Sequence, residues 1–435
     1  MKTTRPVRPC QEWADRIMSA HDKDRSALHL TRRGLLTAGG AVLIGAASGC
    51  SVNAHPAKTS LPSSPSDAPL ASKIPDHSVV HPFFGEHQSG VETPPALLQT
   101  FIGLNLVHGE PRRARADGEA CLRLITDDAA RLTQGLPALG DTEPALARHP
   151  QGLTITAGLG RSFFDKTGLT RHLPQHLVEV PPFETDRFED PWKQTDLVLQ
   201  VGSDDAVTLA HALRMLTKDL STLTEVAWTQ SGFRSASPAQ PGSNATRNLM
   251  GQVDGTVNPI PGSQDFHIVV WQDSPGLWKG STILVLRRIR LHLDAWDGLD
   301  TPAKELIIGR TLDSGAPLGR ERETDPVPFD ELDAQGLPVI PADSHIAVAH
   351  AASVEESILR RPYNYDAGMT DGTNDIGLVF AAYMRDPRLS FIPMQERIAK
   401  SDAFNRWNTT IGSAVYVLPG GVPDGGFIAE GLFSA

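Results

Sequence analysis

Apolar residues in this chain recur at two spacings, alternating in short runs and at helical intervals in longer ones, and the two kinds of run take turns. Residues 100–108 (TFIGLNLVH) form a largely apolar stretch of strand length, and 112–135 has helical composition, with Ala, Leu and paired charges. Residues 152–157 alternate like a strand. The run 196–202 (DLVLQVG) predicts a buried strand, after which Asp204 is placed to cap a helix whose Ala206, Leu209, Ala210, Leu213 and Leu216 recur at helical spacing. Residues 224–232 return as a strand. The clearest strand is 282–293: Ile283, Val285, Arg287, Ile289, Leu291 and Leu293 fall on one face, and Leu284, Leu286, Arg288, Arg290 and His292 on the other. Its start is apolar on both faces, which predicts cover on both sides there. Strand, helix, strand, with a second set after Gly255, suggests two similar α+β halves, although no repeat is legible at the level of residue identity.

At 435 residues and 40% hydrophobic content the chain can bury a substantial core in two or three domains. Residues 1–50 stand apart from it. Thr31, Arg32, Arg33, Gly34, Leu35 and Leu36 resemble a twin-arginine signal, and the apolar run behind them is about fifteen residues, short of the roughly twenty a membrane-spanning helix needs. The residues Ala47, Ser48, Gly49 and Cys50 resemble a lipobox, in which Cys50 would carry a lipid tether; ordinary cleavage near Ala54 is the alternative. Residues 51–80 are rich in Ser, Pro and Ala without apolar periodicity and read as a disordered linker. The body then divides into an N-terminal half, 81–250, and a C-terminal half, 251–435. Cys10 and Cys50 lie in or at the edge of the leader, so Cys121 is alone in the body and no internal disulfide can form. Removing the leader takes 8 basic and 4 acidic residues from totals of 40 and 51, leaving 32 against 47 and a net charge of −15. Nucleic acid is excluded as a partner on that balance.

The chemistry concentrates in two segments. Residues 251–259 read GQVDGTVNP, with Asp254 set between glycines and followed by Thr256 and Asn258. A carboxylate there is poor core material, and glycine lets the main chain approach a flat ligand closely. About ninety residues on, 343–366 read DSHIAVAHAASVEESILRRPYNYD, with His345, His350, Arg360 and Arg361 in one stretch. Taken with GEHQSGVETPP (85–95), LRRIRLHLDAW (286–296), IIGRTLDSGAPLG (307–319), DIGLVFAAYMRDP (375–387) and GSAVYVLPGG (412–421), these motifs resemble the dye-decolorizing peroxidase family, in its exported bacterial branch that includes deferrochelatases. The resemblance covers nearly everything after residue 80.

The resemblance implies an α+β fold: a duplicated ferredoxin-like architecture of the dimeric α+β barrel type, with two antiparallel sheets, surrounding helices and the haem in the C-terminal half. It implies one haem b per chain, with His345 as the proximal iron ligand and His350, Ala351 and Ala352 beside the porphyrin. Glu355, Glu356 and Asp402 are alternative carboxylate partners for the second ring nitrogen of His345. On the opposite face Asp254 is expected to move the peroxide proton and Arg360 to stabilise developing negative charge. Gly255, Thr256 and Val257 should line the porphyrin, Arg310 should pair with a propionate, and Leu378 and Phe380 resemble the apolar wall of the distal pocket. Tyr363, Tyr365, Tyr383 and Trp407 are alternative relays for electrons from bulky reductants. An ordinary aspartate titrates at roughly 3.9, so an aspartate base predicts an acidic activity optimum.

The expected partners are hydrogen peroxide and a small-molecule or metal-linked reductant, with a homo-oligomer among the alternatives for assembly. Twin-arginine export carries folded proteins, which suits a cofactor enzyme acting outside the cytoplasm. Two other functions remain beside peroxidase, a deferrochelatase that releases iron from haem and a non-catalytic haem or iron carrier; the pairing of Asp254 with Arg360 argues against the carrier.

Overall fold

The computed structural model describes residues 79–434, apart from 191, 240–244, 255–256 and 371. The leader, the lipobox at Cys50, most of the linker and the porphyrin-lining positions Gly255 and Thr256 lie outside the described residues. Strand β1 (Leu98–Leu106) leads into helix α1 (Pro111–Leu132), then β2 (Thr154–Leu159), α2 (Arg161–Thr167), β3 (Leu197–Ser203), α3 (Ala206–Leu220) and β4 (Thr224–Phe233). A short ribbon follows, β5 (Thr246–Arg247) with β6 (Val253–Asp254), and then α4 (Gln264–Val270). The second half runs β7 (Thr282–Leu291), α5 (Leu293–Asp297), α6 (Thr301–Ile308), α7 (His345–Val348), β8 (Leu359–Arg360), β9 (Tyr363–Thr370), β10 (Thr373–Met384), α8 (Phe391–Ser401) and β11 (Asn408–Leu418).

Helix α1 starts where Glu110 accepts hydrogen bonds from the backbone N–H of Arg112 and Arg113 and Pro111 fixes the first turn. Its Ala114, Gly118, Cys121, Leu122, Ile125, Ala129 and Leu132 form one buried stripe against the sheet and α2. Each buried Leu or Ile contributes about 1.5–3 kcal/mol. A Cβ on Gly118 would meet the Phe163 ring at 2.9 Å, so only glycine lets α1 and α2 pack this closely. Helix α3 is capped by Asp205, whose carboxylate accepts from Thr208 N at 2.7 Å. Asp204, the cap expected from sequence, instead accepts from Leu97 N at 2.8 Å and ties the start of β1. The strand expected over 282–293 stops at Leu291, because Leu293 opens α5.

All strand pairings in the large sheet are antiparallel. The first half orders its strands β2-β3-β1-β4, and the second β9-β10-β7-β11. Each order is that of a ferredoxin-like β-α-β-β-α-β unit. The two units join edge to edge, β4 to β9 through Phe233↔Asn364 and β11 to β2 through Val417↔Leu159, which closes a barrel. Alternation along the strands then separates two cores. Ile102, Leu199, Ile283, Val285 and Val417 face outward beneath the helices, with Cys121, Leu122 and Phe163. Phe101, Val198, Trp228, Leu284, Tyr383 and Tyr416 fill the lumen. Trp228 lies so close over Gly103 that a Cβ there would stand 2.3 Å from its ring.

Candidate active site

In the second half the connection from β7 to β8 runs from residue 292 to 358, and its few helices are short. That excursion and the β5–β6 ribbon carry the site. Arg247 anchors the ribbon, donating from Nη1 to Gly251 O at 2.9 Å and Leu312 O at 2.6 Å and from Nη2 to Asp313 O at 2.6 Å. The turn before Asp254 needs Gly251, which holds φ +81°. Asp254 is thereby presented half-buried at the end of β6. Arg360, on β8, brings Nη1 to 3.7 Å from Asp254 Oδ1, an ion pair longer than a direct hydrogen bond. Arg361, its neighbour in the same motif, is buried and donates to the carbonyls of Val91 and Thr93, so it fastens the N-terminal segment to the sheet.

His345 is the first residue of α7, after Ser344 in the capping position. Its Nδ1 lies 2.6 Å from Asp402 Oδ2, and the other Asp402 oxygen accepts from Phe404 N at 2.8 Å. Burial works against a charged ring at His345, but the Asp402 carboxylate and its hydrogen bond outweigh that and raise the pKa; Arg360 opposes and Asp254 assists. Both distal candidates are therefore within electrostatic reach of this ring. Of the three carboxylates proposed as its partner, Asp402 is the one in contact. Glu356 accepts from Ala352 N at 2.7 Å and pairs with Arg397, and Glu355 is exposed. His350 packs on Phe329 with ring centroids 4.6 Å apart, and its carbonyl accepts from Arg397. Ala351 is half-buried beside the core and Ala352 is exposed.

Arg310 is buried, with Nη1 donating to Gly315 O at 2.7 Å and Glu323 O at 3.0 Å. Burial lowers its pKa, the neighbouring Arg360 lowers it further and Glu323 opposes. Arg234, which sequence reasoning missed, reaches from the end of β4 to Thr246 Oγ1 at 3.4 Å, and Thr246 is the cross-strand partner of Asp254. Its pKa too is lowered by burial, with Tyr363 raising it, Arg361 lowering it and Asp254 raising it. No signal in the local sequence marks Arg234, because its relation to Asp254 exists only across the ribbon.

This donor set fits haem. With Nδ1 of His345 held by Asp402, Nε2 on the far side of the ring keeps its lone pair for iron. Asp402 is fully buried behind the ring, while one third of the His345 side chain is open. Arg310 is a buried cation whose charge is disfavoured by burial and by Arg360, so a carboxylate such as a propionate would suit it. Val257 and Ile260, which follow Asp254 in the chain, are apolar and 67% and 74% exposed, and half-buried Leu378 and Phe380 lie on β10. The four aromatic relay candidates are all buried: Tyr365 donates to Asp375, Tyr383 to Gln200, and Trp407 packs edge-on to Trp296 at 5.6 Å. Among the described residues no helix is long and apolar enough to cross a membrane.

Comparison with known proteins gives this arrangement its class. Residues 88–234 match the Dyp-type peroxidase N-terminal family and residues 245–423 the Dyp-type peroxidase C-terminal family. The chain belongs to the Dyp-type peroxidases and is a haem peroxidase, an oxidoreductase acting on peroxide. It is 37% identical to a dye-decolorizing peroxidase of Thermobifida fusca over 345 residues, 76% of this chain and 80% of that one. It is 33% identical to the deferrochelatase of Escherichia coli K12 over 417 residues, covering 91% and 94% of the two chains. The crystal structure of a DyP-type peroxidase from Cellulomonas bogoriensis superposes with a TM-score of 0.79 at 41% identity, over 82% of this chain and 99% of that one.

Proposed function

We propose that this peroxidase reduces hydrogen peroxide at Asp254 and Arg360 and oxidises organic, dye-like or metal-linked reductants outside the cytoplasm. The observation that carries this reading is the approach of Asp254 Oδ1 to Arg360 Nη1 at 3.7 Å, within electrostatic reach of a histidine whose Nδ1 is already committed. Haem, when bound, supplies the redox-active iron that receives oxidising equivalents from peroxide. His345 would hold it through Nε2, and Arg310 would meet a propionate. The Asp254 carboxylate accepts a proton from one oxygen of hydrogen peroxide and returns it to the other, so that the second oxygen departs in water. Arg360 is a fixed cation for the negative charge that gathers on the departing oxygen. Asp402 keeps the His345 ring in one tautomer and orientation and increases its electron donation. Two electrons and two protons from the reductant complete the reduction to two waters.

The relative named deferrochelatase, matched over 94% of its length, favours a second reading in which the same site releases iron from haem. Holo-protein mixed with hydrogen peroxide and a dye separates the two. Peroxidase function predicts many dye molecules bleached per protein while iron stays with the porphyrin; iron-free porphyrin without dye turnover would replace the first reading by the second. Export through the twin-arginine motif at Arg32 and Arg33, and a lipid tether at Cys50, belong to the same proposal. Fractionation of cells with a lipid label tests them: a Cys50→Ser variant should lose the label and leave the membrane fraction, and label retained on it would refute the tether.

A further inference from the structure

Arg360 sits at the edge of the sheet. The Arg361 N–H donates inward to Ala381 O at 2.8 Å, so by strand alternation the N–H and C=O of Arg360 face away from β10. One side chain takes both: Asn258 Oδ1 accepts from Arg360 N at 2.9 Å and Asn258 Nδ2 donates to Arg360 O at 2.7 Å. A primary amide carries acceptor and donor in one plane, so Asn258 imitates the backbone of a neighbouring strand and satisfies an edge that would otherwise need water. Asn258 stands four residues after Asp254. The ribbon holds Val253 beside the acid through its pairing with Arg247, and the strand bearing the cation holds Asn258.

We propose that Asn258 is a positioning residue that sets the separation of Asp254 and Arg360. The inference rests on the reading of those two as the peroxide-handling pair. At 3.7 Å their charged ends are close enough to share a small guest and too far apart to close on one another by a hydrogen bond. Each side chain has rotatable bonds, so what the fold contributes is the placement of the two backbones, and the Asn258 amide ties the Arg360 backbone to the chain four residues from Asp254. Only an amide of this length serves. Aspartate would set an oxygen against the Arg360 carbonyl, leucine has neither donor nor acceptor, and glutamine adds a methylene that pushes the loop away.

The test uses haem-loaded wild type, Asn258→Asp, Asn258→Leu and Asp254→Asn, with haem content, hydrogen exchange at the Arg360 amide, the rate constant with hydrogen peroxide and the reductant KM all measured. In both Asn258 variants the peroxide rate constant should fall about 100-fold, the scale of a misplacement near 1 Å. Haem content and reductant KM should stay at wild-type values, and Arg360 amide exchange should accelerate about tenfold. Wild-type peroxide rates and protection in Asn258→Leu, beside an impaired Asp254→Asn, would overturn the positioning role alone. Loss of haem from both Asn258 variants would also overturn it, making Asn258 part of cofactor retention. Wild-type rates in Asp254→Asn would bring down the underlying reading as well.

Discussion

In each half of the barrel a histidine ring from the helical layer meets a fully buried aspartate side chain, and the two pairs differ most in exposure. In the N-terminal half, His211 on α3 places Nε2 2.9 Å from Asp141, with 3% and 0% of the two side chains exposed. Its second nitrogen, Nδ1, is buried without a hydrogen-bond partner. In the C-terminal half, His345 places Nδ1 2.6 Å from Asp402, which is likewise fully buried, but a third of the His345 side chain is open. The pair by itself is a structural device, as it also is for half-buried His108 with buried Asp117; the proposal that His345 is a ligand rests on an open ring within electrostatic reach of Asp254 and Arg360. What surrounds each pair explains the difference. The N-terminal unit covers its sheet with two long amphipathic helices, α1 and α3, which pack continuously with the strands beneath. The equivalent connection of the C-terminal unit, between β7 and β9, is an irregular excursion with short helices. The same strand order therefore yields a closed core on one side and the candidate site on the other.

The sharpest way to break this comparison is to delete each histidine. His345→Ala should leave the protein folded and without haem, read from the Soret absorbance of the purified protein. His211→Ala should keep haem and lose stability instead, by about 1–3 kcal/mol, because Asp141 is left buried without its hydrogen-bond partner. Haem retained in the first variant, or lost in the second, would erase the distinction. Arg360 and Arg361 offer a similar contrast within one motif. Arg360→Met should lower the rate with peroxide by about 10²–10³-fold, with melting temperature near wild type. Arg361→Met should instead lower the melting temperature, because the carbonyls of Val91 and Thr93 lose a buried donor, and leave the peroxide rate the lesser effect. A smaller effect is expected at the carboxylate that holds the His345 ring: Asp402→Asn should weaken haem affinity about 10–100-fold in a competition assay with apomyoglobin.

Much of this was legible along the chain because it is local. The strands are short alternating or apolar runs, and Asp254, His345 and Arg360 stand in ordered motifs of ordinary sequence length. Of the two adjacent arginines, Arg360 faces Asp254 and Arg361 is tied to carbonyls of the N-terminal segment. What escaped the sequence depends on contacts between distant segments. Asp402 lies 57 residues beyond His345 and could not be chosen from three carboxylates until α8 and the turn after it brought it to the ring. Arg234 comes from the other half, and Asn258 acts through the backbone of a residue 102 positions away. The cap of α3 was misplaced by one residue because Asp204 and Asp205 are chemically identical there; only the tie from Asp204 to Leu97 tells them apart. Closure of the barrel rests on two edge contacts with no compositional signature.

The closed half carries its own titration, and it gives the smallest expected effect. Burial, then the charge and hydrogen bond of Asp219, push the Asp128 carboxyl from 3.8 up to about 7; Asp127 adds to this and Arg131 opposes it. With the folded pKa above the unfolded one, the stability linked to this proton is complete below about 4 and is lost as pH rises through about 7. Asp128→Asn removes the dependence. Its melting temperature relative to wild type should therefore be higher at pH 8 than at pH 5, by roughly 2 °C or more. An equal difference at both pH values would show that the carboxyl pair does not share a proton.

The central claim is that the open side of the C-terminal half, with Asp254 as its proton carrier, is where peroxide reacts. Rapid mixing of haem-loaded Asp254→Asn with hydrogen peroxide tests it most directly, since asparagine keeps the size of the side chain and removes its capacity to take a proton. The account predicts a second-order rate constant lower than wild type by about 10²–10⁴-fold, with haem content and His345 ligation unchanged. A rate constant equal to that of wild type would contradict it.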